Sequence, residues 1–131
     1  MRKAILVVLL AVVSSSAMAE WVGIDVNHGG SYGVFADPAT IIRAGSKVKM
    51  WTLNDYKTVS ELNEFSPPIS LKLLREFDCK KKQTRILYTT HHSENMGRGE
   101  VVDTSVKPHD WEPVGPVSVA GALLEFACKK R

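Results

Sequence analysis

The stretch Ile69-Ser70-Leu71-Lys72-Leu73-Leu74-Arg75-Glu76-Phe77-Asp78-Cys79 decides the fold. In an extended strand, successive side chains point to opposite faces of the sheet. One face then carries Ile69, Leu71, Leu73, Arg75, Phe77 and Cys79, and the other carries Ser70, Lys72, Leu74, Glu76 and Asp78. The first face is apolar except for Arg75, so it looks into a core. Its last residue is one of only two cysteines, and the other, Cys128, ends an apolar stretch with helical spacing. The strand is therefore predicted to be the place where a sheet and a covering helix are tied together.

Working outward, strands recur with short turns between them. Trp21 to Val26 and Ser31 to Ala36 alternate loosely around Asn27-His28-Gly29-Gly30. Asn and Gly tolerate positive φ, so that tetrapeptide predicts a hairpin turn. Asp37-Pro38 ends the second strand, because proline cannot donate to a ladder. Ala39 to Arg43 is expected to be a short bridge. Lys47 to Tyr56 is a longer strand with Val48 and Met50 on one face and Trp51 and Leu53 on the other. Either both faces are covered or a bulge near Met50 switches them. Pro67-Pro68 precludes regular structure just before the central strand. After the basic turn Lys80 to Gln83, Arg85 to His92 returns with Ile86, Tyr88 and Thr90 opposite Arg85, Leu87, Thr89 and His91.

Downstream, Gly97-Arg98-Gly99 marks tight backbone, Glu100 to Thr104 a short strand, and Pro108 to Pro116 an extended segment around Trp111. Ser118 is a suitable N-cap for a final helix. Val119, Ala122, Leu123 and Phe126 follow helical spacing, with Leu124 and Cys128 on an adjoining stripe. Only Glu125 is charged within it, which predicts that most of the helix is buried. Strands in succession followed by one helix describe an α+β domain. The expected architecture is a mainly antiparallel five- or six-stranded sheet with the helix on its apolar face.

The first nineteen residues read as an export signal. Arg2 and Lys3 precede the apolar run Ala4 to Val13, and Ala17-Met18-Ala19 forms an A-x-A cleavage site before Glu20. The run is too short for a permanent bilayer anchor, and no cysteine follows the cleavage site to accept a lipid. The expected organisation is a signal peptide over residues 1–19 and one domain over residues 20–131. Without the signal, 15 basic side chains face 14 acidic ones, and the formal charge falls from +3 to +1. Global charge therefore gives no case for nucleic acid. Export places two cysteines where they are most simply one disulfide. Redox activity would favour a Cys-x-x-Cys arrangement, which is lacking.

The motifs also resemble a known family. They are Trp51-x-Leu53-x-Asp55-Tyr56-Lys57, Ser70 to Cys79, Met96-Gly97-x-Gly99, Trp111-x-Pro113-Val114-x-Pro116-x-Ser118 and a last Cys128. In this order they resemble the bacterial surface-adhesin protein E-like domain across nearly all of the chain after the signal. The resemblance implies a six-stranded antiparallel sheet whose C-terminal helix is held by a disulfide. It carries over only Cys79 and Cys128, because the matched motifs are structural. The family takes its name from a surface lipoprotein that binds host extracellular proteins, and this chain departs from it in having no lipidation cysteine.

No single motif declares chemistry. His91-His92, with Met96 nearby and His28 and His109 elsewhere, suggest a metal or haem site. Adjacent strand residues point apart, so solvent-exposed strand-end histidines are the better expectation. A Gly-x-Ser-x-Gly elbow, a His-Glu-x-x-His helix and a phosphate-cradling loop are all missing from the sequence, which argues against a hydrolase. Trp21, Trp51 and Trp111 form either a ligand platform or ordinary sheet packing. Arg75 is either an anion-binding arginine in a concavity or one paired with a carboxylate at the sheet edge. Neither an enzyme nor a cofactor is expected.

The strongest local feature is charge. Lys80, Lys81 and Lys82 follow Cys79, and Lys129, Lys130 and Arg131 follow Cys128. A disulfide would bring such runs to one point, giving either an anion-binding patch or a solvated turn beside the C-terminal tail. The functional expectation is an exported, non-enzymatic binding or adhesion module. Its partner would be a protein or an anionic surface ligand, and its place the periplasm, the medium or the cell surface. The alternative is a small periplasmic ligand-binding protein taking an anionic molecule, metal or haem. The sequence specifies no oligomeric state.

Overall fold

The computed structural model describes residues 20–25, 32–56 and 69–129. The expected signal peptide, the Asn27–Gly30 turn with His28, the segment through Pro67-Pro68, and Lys130 and Arg131 lie outside the described residues. The described residues hold eight strands and one helix; the strands are β1 Val22–Asp25, β2 Tyr32–Ala36, β3 Ile42–Ala44, β4 Lys47–Tyr56, β5 Ser70–Asp78, β6 Gln83–His92, β7 Val101–Ser105 and β8 Glu112–Pro113. The helix, α1 Val119–Lys129, follows them. Six strands run in the order β1-β2-β4-β5-β6-β7, all antiparallel, so almost every neighbour in space is a neighbour in sequence. The two short strands extend the flanks, β3 on β4 and β8 on β6. The segment expected as a plain bridge after Asp37 is therefore a 3₁₀ turn, Pro38–Thr40, followed by β3.

β5 is central, and its two faces divide as alternation requires. Phe77 lies opposite Val48, Arg75 opposite Met50 and Leu73 opposite Thr52 on β4. Phe77, Val48 and Met50 are completely buried, together with Val34 and Ala36 from β2 and with Leu123, Leu124 and Ala127 from α1. Transfer of one such side chain from water contributes about 2 kcal/mol. The helix is less submerged than its composition suggested: Ala122, Glu125 and Lys129 face solvent. A single stripe suffices to cover the sheet. The helix starts at Ser118, whose Oγ accepts the Gly121 N–H at 2.9 Å and donates to the Gly115 carbonyl at 2.8 Å. A Cβ on Gly121 would stand 2.5 Å from that carbonyl oxygen, so only glycine lets the strap approach the first helical turn.

β4 pairs with β5 without interruption from Lys47 to Asp55, so no bulge occurs at Met50. Both faces are covered instead: Met50 on the helix side and Leu53 on the other are each fully buried. The irregularity sits in β6. Leu74 pairs with Tyr88 but Arg75 pairs with Ile86, which leaves Leu87 as an extra residue. A bulge of this kind resets alternation. Ile86 therefore joins the Arg75 face while Tyr88 and Thr90 stay on the Lys72 face, contrary to the uniform alternation expected.

At the Asp55–Ser70 end, the face away from the helix is covered by a clamp of polar residues. Asp55 Oδ1 accepts the Met96 N–H at 2.7 Å and the Asn95 side-chain amide at 3.0 Å. The same amide donates to the Tyr56 carbonyl at 2.7 Å, and Ser70 Oγ accepts the Gly97 N–H at 2.9 Å. Met96 and Gly97 adopt positive φ, +59° and +72°. Gly97 has a second reason to be glycine, because a Cβ there would meet the Lys72 stem at 2.6 Å. Asp55, Ser70 and Met96-Gly97 are distant in sequence and meet here.

Candidate functional site

Cys79 and Cys128 are bonded, with Cα atoms 5.9 Å apart. This joins the end of β5 to the last turn of α1. The chain leaves Cys79 through a tight turn organised by Asp78, whose Oδ1 accepts the N–H groups of Lys80 at 3.1 Å and Lys81 at 3.0 Å. The Lys82 N–H donates to the Asp78 carbonyl at 2.8 Å, and Lys82 takes the left-handed conformation at φ +57°. The Lys81 N–H, the Lys80 N–H and the charges of Lys47 and Lys81 together hold the Asp78 carboxyl below its ordinary pKa, against the opposing effect of burial. The turn is thus fixed by one ionised, largely covered carboxylate.

Of the predicted patch, Lys80, Lys81 and Lys82 are exposed at this turn, and Lys129 is exposed beside Cys128. Lys82 lines a cavity of about 310 Å³ with Val114, Pro116 and Leu124. Lys129 lies 4.0 Å from Glu125 one helical turn back. Two cations escaped the sequence reading. Lys47 stands opposite Asp78 in the β4–β5 register. Arg43 on β3 donates from Nη2 to the Cys128 carbonyl at 2.7 Å. Arg43 and Lys129 sit where a helix's exposed carbonyls favour positive charge. A strand pairing and a helix end place them there, and neither is visible as a charge run.

The other singled-out residues separate. His92 is buried at 5% exposure, which corrects its assignment as a solvent-exposed strand end. The physical reason is the clamp: residues 93–97 fold back over the strand that ends at His92. Its Nε2 lies 2.7 Å from Thr90 Oγ1. Burial, then the charges of Lys72 and His91, push its pKa below the ordinary value. An NMR titration is expected to place the His92 midpoint below about 6.5. The unfolded chain binds that proton near 6.5 and the folded chain only at lower pH. Stability from this group is therefore full above that range and declines as pH falls through it. Urea midpoints at pH 7.5 and 5.5 check the sign, and His92→Gln should flatten the difference.

Among the described residues no group of three or more His, Cys, Asp or Glu could hold a metal ion. The three tryptophans do not gather at one place: Trp21 and Trp51 line one cleft, and Trp111 lies apart. Trp111 stacks on the Arg85 guanidinium at 4.6 Å, and Arg85 pairs with Glu76 at 2.8 Å. Trp51 meets Tyr88 edge-on at 5.7 Å. Arg75 lies on the central strand and not at an edge, and its Nε donates to Thr52 Oγ1 at 3.3 Å. Burial lowers its pKa, partly offset by Tyr32 and Glu112.

An antiparallel meander covered by one helix, with a disulfide at their junction and a cationic corner around it, defines a small stapled α+β module. Residues 21–129 match the family described as Surface-adhesin protein E, and the chain belongs to that family. It is a surface-adhesin-like protein. Solved structures of Haemophilus influenzae protein E share the fold. The selenomethionine form is 14% identical with a TM-score of 0.59, covering 81% of this chain and 84% of that one. Protein E from a non-typeable strain is 11% identical with a TM-score of 0.61, covering 87% and 78% respectively. No curated protein matches the chain in sequence. Among the described residues no helix is long and apolar enough to cross a membrane.

Proposed function

We propose that this chain is an exported, non-enzymatic binding module, released from a signal peptide at Ala19–Glu20, whose disulfide corner holds a polyanionic surface. Export places it in the periplasm, the medium or at the cell surface, and family membership supports adhesion as its role. The observation that carries the reading is the fixed turn after Cys79. It presents Lys80 and Lys81 on rigid backbone beside the exposed Lys129, in a domain with almost no net charge. Lys130 and Arg131 would extend the patch. Exposed cations grouped in this way, with Asp78 committed to the turn and Glu125 facing only Lys129, attract phosphate- or sulfate-bearing surfaces and are screened within about 8 Å at physiological salt.

Changing Lys80, Lys81 and Lys129 together to Gln should weaken binding to anionic vesicles by roughly 100-fold, at about 1 kcal/mol per cation near such a surface. Retention on heparin should fall in parallel, and raising the salt should erase the difference between variant and parent. Equal binding by both proteins at low salt would leave the corner with no role beyond solubility.

A further inference from the structure

The sheet face away from the helix carries a second, chemically different site. A cleft of about 330 Å³ lies there, lined by Trp21, Thr40, Trp51, Lys72, Thr90 and His92, with Asp37 at one end. Its volume falls within the range of small-molecule sites. The floor comes from adjacent strands, since Lys72 on β5 pairs with Thr90 on β6 and lies one strand from Trp51 on β4. The wall comes from the 3₁₀ turn, where Thr40 Oγ1 accepts the Trp51 N–H at 3.0 Å. The Lys72 stem is confined beneath Gly97, which fixes where its charge can reach.

Three properties of the cleft select a ligand. Two tryptophans, Trp21 and Trp51, line it and supply indole surface on which a ring can stack. One cation, Lys72, stands in the floor. Of the polar lining groups, the Thr40 hydroxyl already donates to the Asp37 carbonyl and accepts the Trp51 N–H, and Thr90 is paired with His92 Nε2, so the Asp37 carboxylate and His92 Nδ1 are the groups left to meet hydroxyls. His92 Nδ1 is buried and has no hydrogen-bond partner among the described residues. A buried polar atom in that condition is unfavourable until something pairs with it. A purely aromatic acid would leave the hydroxyl-binding groups unused, and a neutral sugar would leave Lys72 unused.

We infer that this cleft binds the ring of an acidic sugar, a pyranose bearing a carboxylate, stacked on Trp51 and Trp21 with its carboxylate on Lys72 and a hydroxyl on His92. The site is separate from the basic corner, and its occupancy does not depend on that corner. It gives the module a recognition element for a particular sugar, where the corner senses only charge.

Glucuronate and glucose make the test, because they differ only at the carboxylate carbon. In the disulfide-bonded protein, glucuronate should shift the indole N–H resonances of Trp21 and Trp51 and leave that of Trp111 in place, with a Kd on the order of 1 mM or tighter. Glucose should bind at least 10-fold more weakly. Lys72→Met should abolish that preference and Lys72→Arg should retain it, which separates a charge contact from a packing role. Lys81→Gln should change nothing. An oligosaccharide ending in glucuronate, measured in the Gln variant of the corner, identifies the source. Tighter binding than the free acid assigns the cleft to glycan ends, and weaker binding assigns it to the free sugar acid. Indole signals unmoved by tens of millimolar glucuronate, equal shifts from glucose, or a preference that survives Lys72→Met would each overturn the assignment.

Discussion

Cys128→Ser is expected to lower the melting temperature by about 10–20 °C. The bond closes a loop with a sequence separation of 49. Confining the unfolded chain that far is worth about 4 kcal/mol in the chain-entropy account, which is a large share of the stability of a domain this small. The helix also depends on the bond more than most helices would. Its fully buried contacts are only Leu123, Leu124 and Ala127, and its C-terminal carbonyl at Cys128 is held by Arg43. Without the tether, Val34, Ala36, Val48 and Met50 rest under a helix free to lift away. Calorimetry of the variant checks this, and Cys79→Ser/Cys128→Ser should melt with the single variant. A melting temperature within about 3 °C of the parent would mean that packing alone docks the helix.

Phe77→Ala should remove about 3–5 kcal/mol of stability. Phe77 has no exposed surface and belongs to the cluster formed with Leu123, Leu124 and Ala127. Its removal opens a cavity beneath the helix, two residues from the disulfide, where the crosslink resists the collapse that would otherwise refill it. Urea unfolding with an unchanged slope measures the loss. Ile42→Ala, at a position 66% exposed on β3, is the comparison and should stay within about 0.5 kcal/mol of the parent. Similar midpoints for the two variants would show that the core lies elsewhere.

How far the sequence was legible follows from the range of the forces involved. Alternation is local, so Ile69 to Cys79 disclosed its inward face, and Phe77 and Cys79 lie where that reading put them. Ser118 and the helical spacing after it were equally readable, since a cap and its helix are neighbours. The Leu87 bulge was hidden, because Ile86, Leu87 and Tyr88 are each acceptable on either face and only the partner strand decides between them. His92 looked exposed for a related reason: its cover comes from Asn95 to Gly97, held by Asp55 and Ser70 from other strands. Arg43 and Lys47 were missed because a strand pairing, not a run of charge, brings them to the disulfide. The separation of Trp111 from Trp51 likewise depends on the register with Arg85.

The Asp55–Ser70 clamp has a consequence for evolution and engineering. At the end of the β4–β5 hairpin, the Tyr56 N–H donates to the Ile69 carbonyl at 2.9 Å and the Ile69 N–H to the His92 carbonyl at 3.1 Å, while Asn95 locks the Tyr56 carbonyl. Both stems are therefore fastened by bonds within the described residues at the sheet end. The entropy of closing a connection between two such stems grows only with the logarithm of its length, by about 0.6 kcal/mol per doubling. The hairpin end is a ready-made grafting port. Segments of differing length and composition can be exchanged there while the sheet, the helix and the staple stay as they are, letting one scaffold carry many displayed sequences.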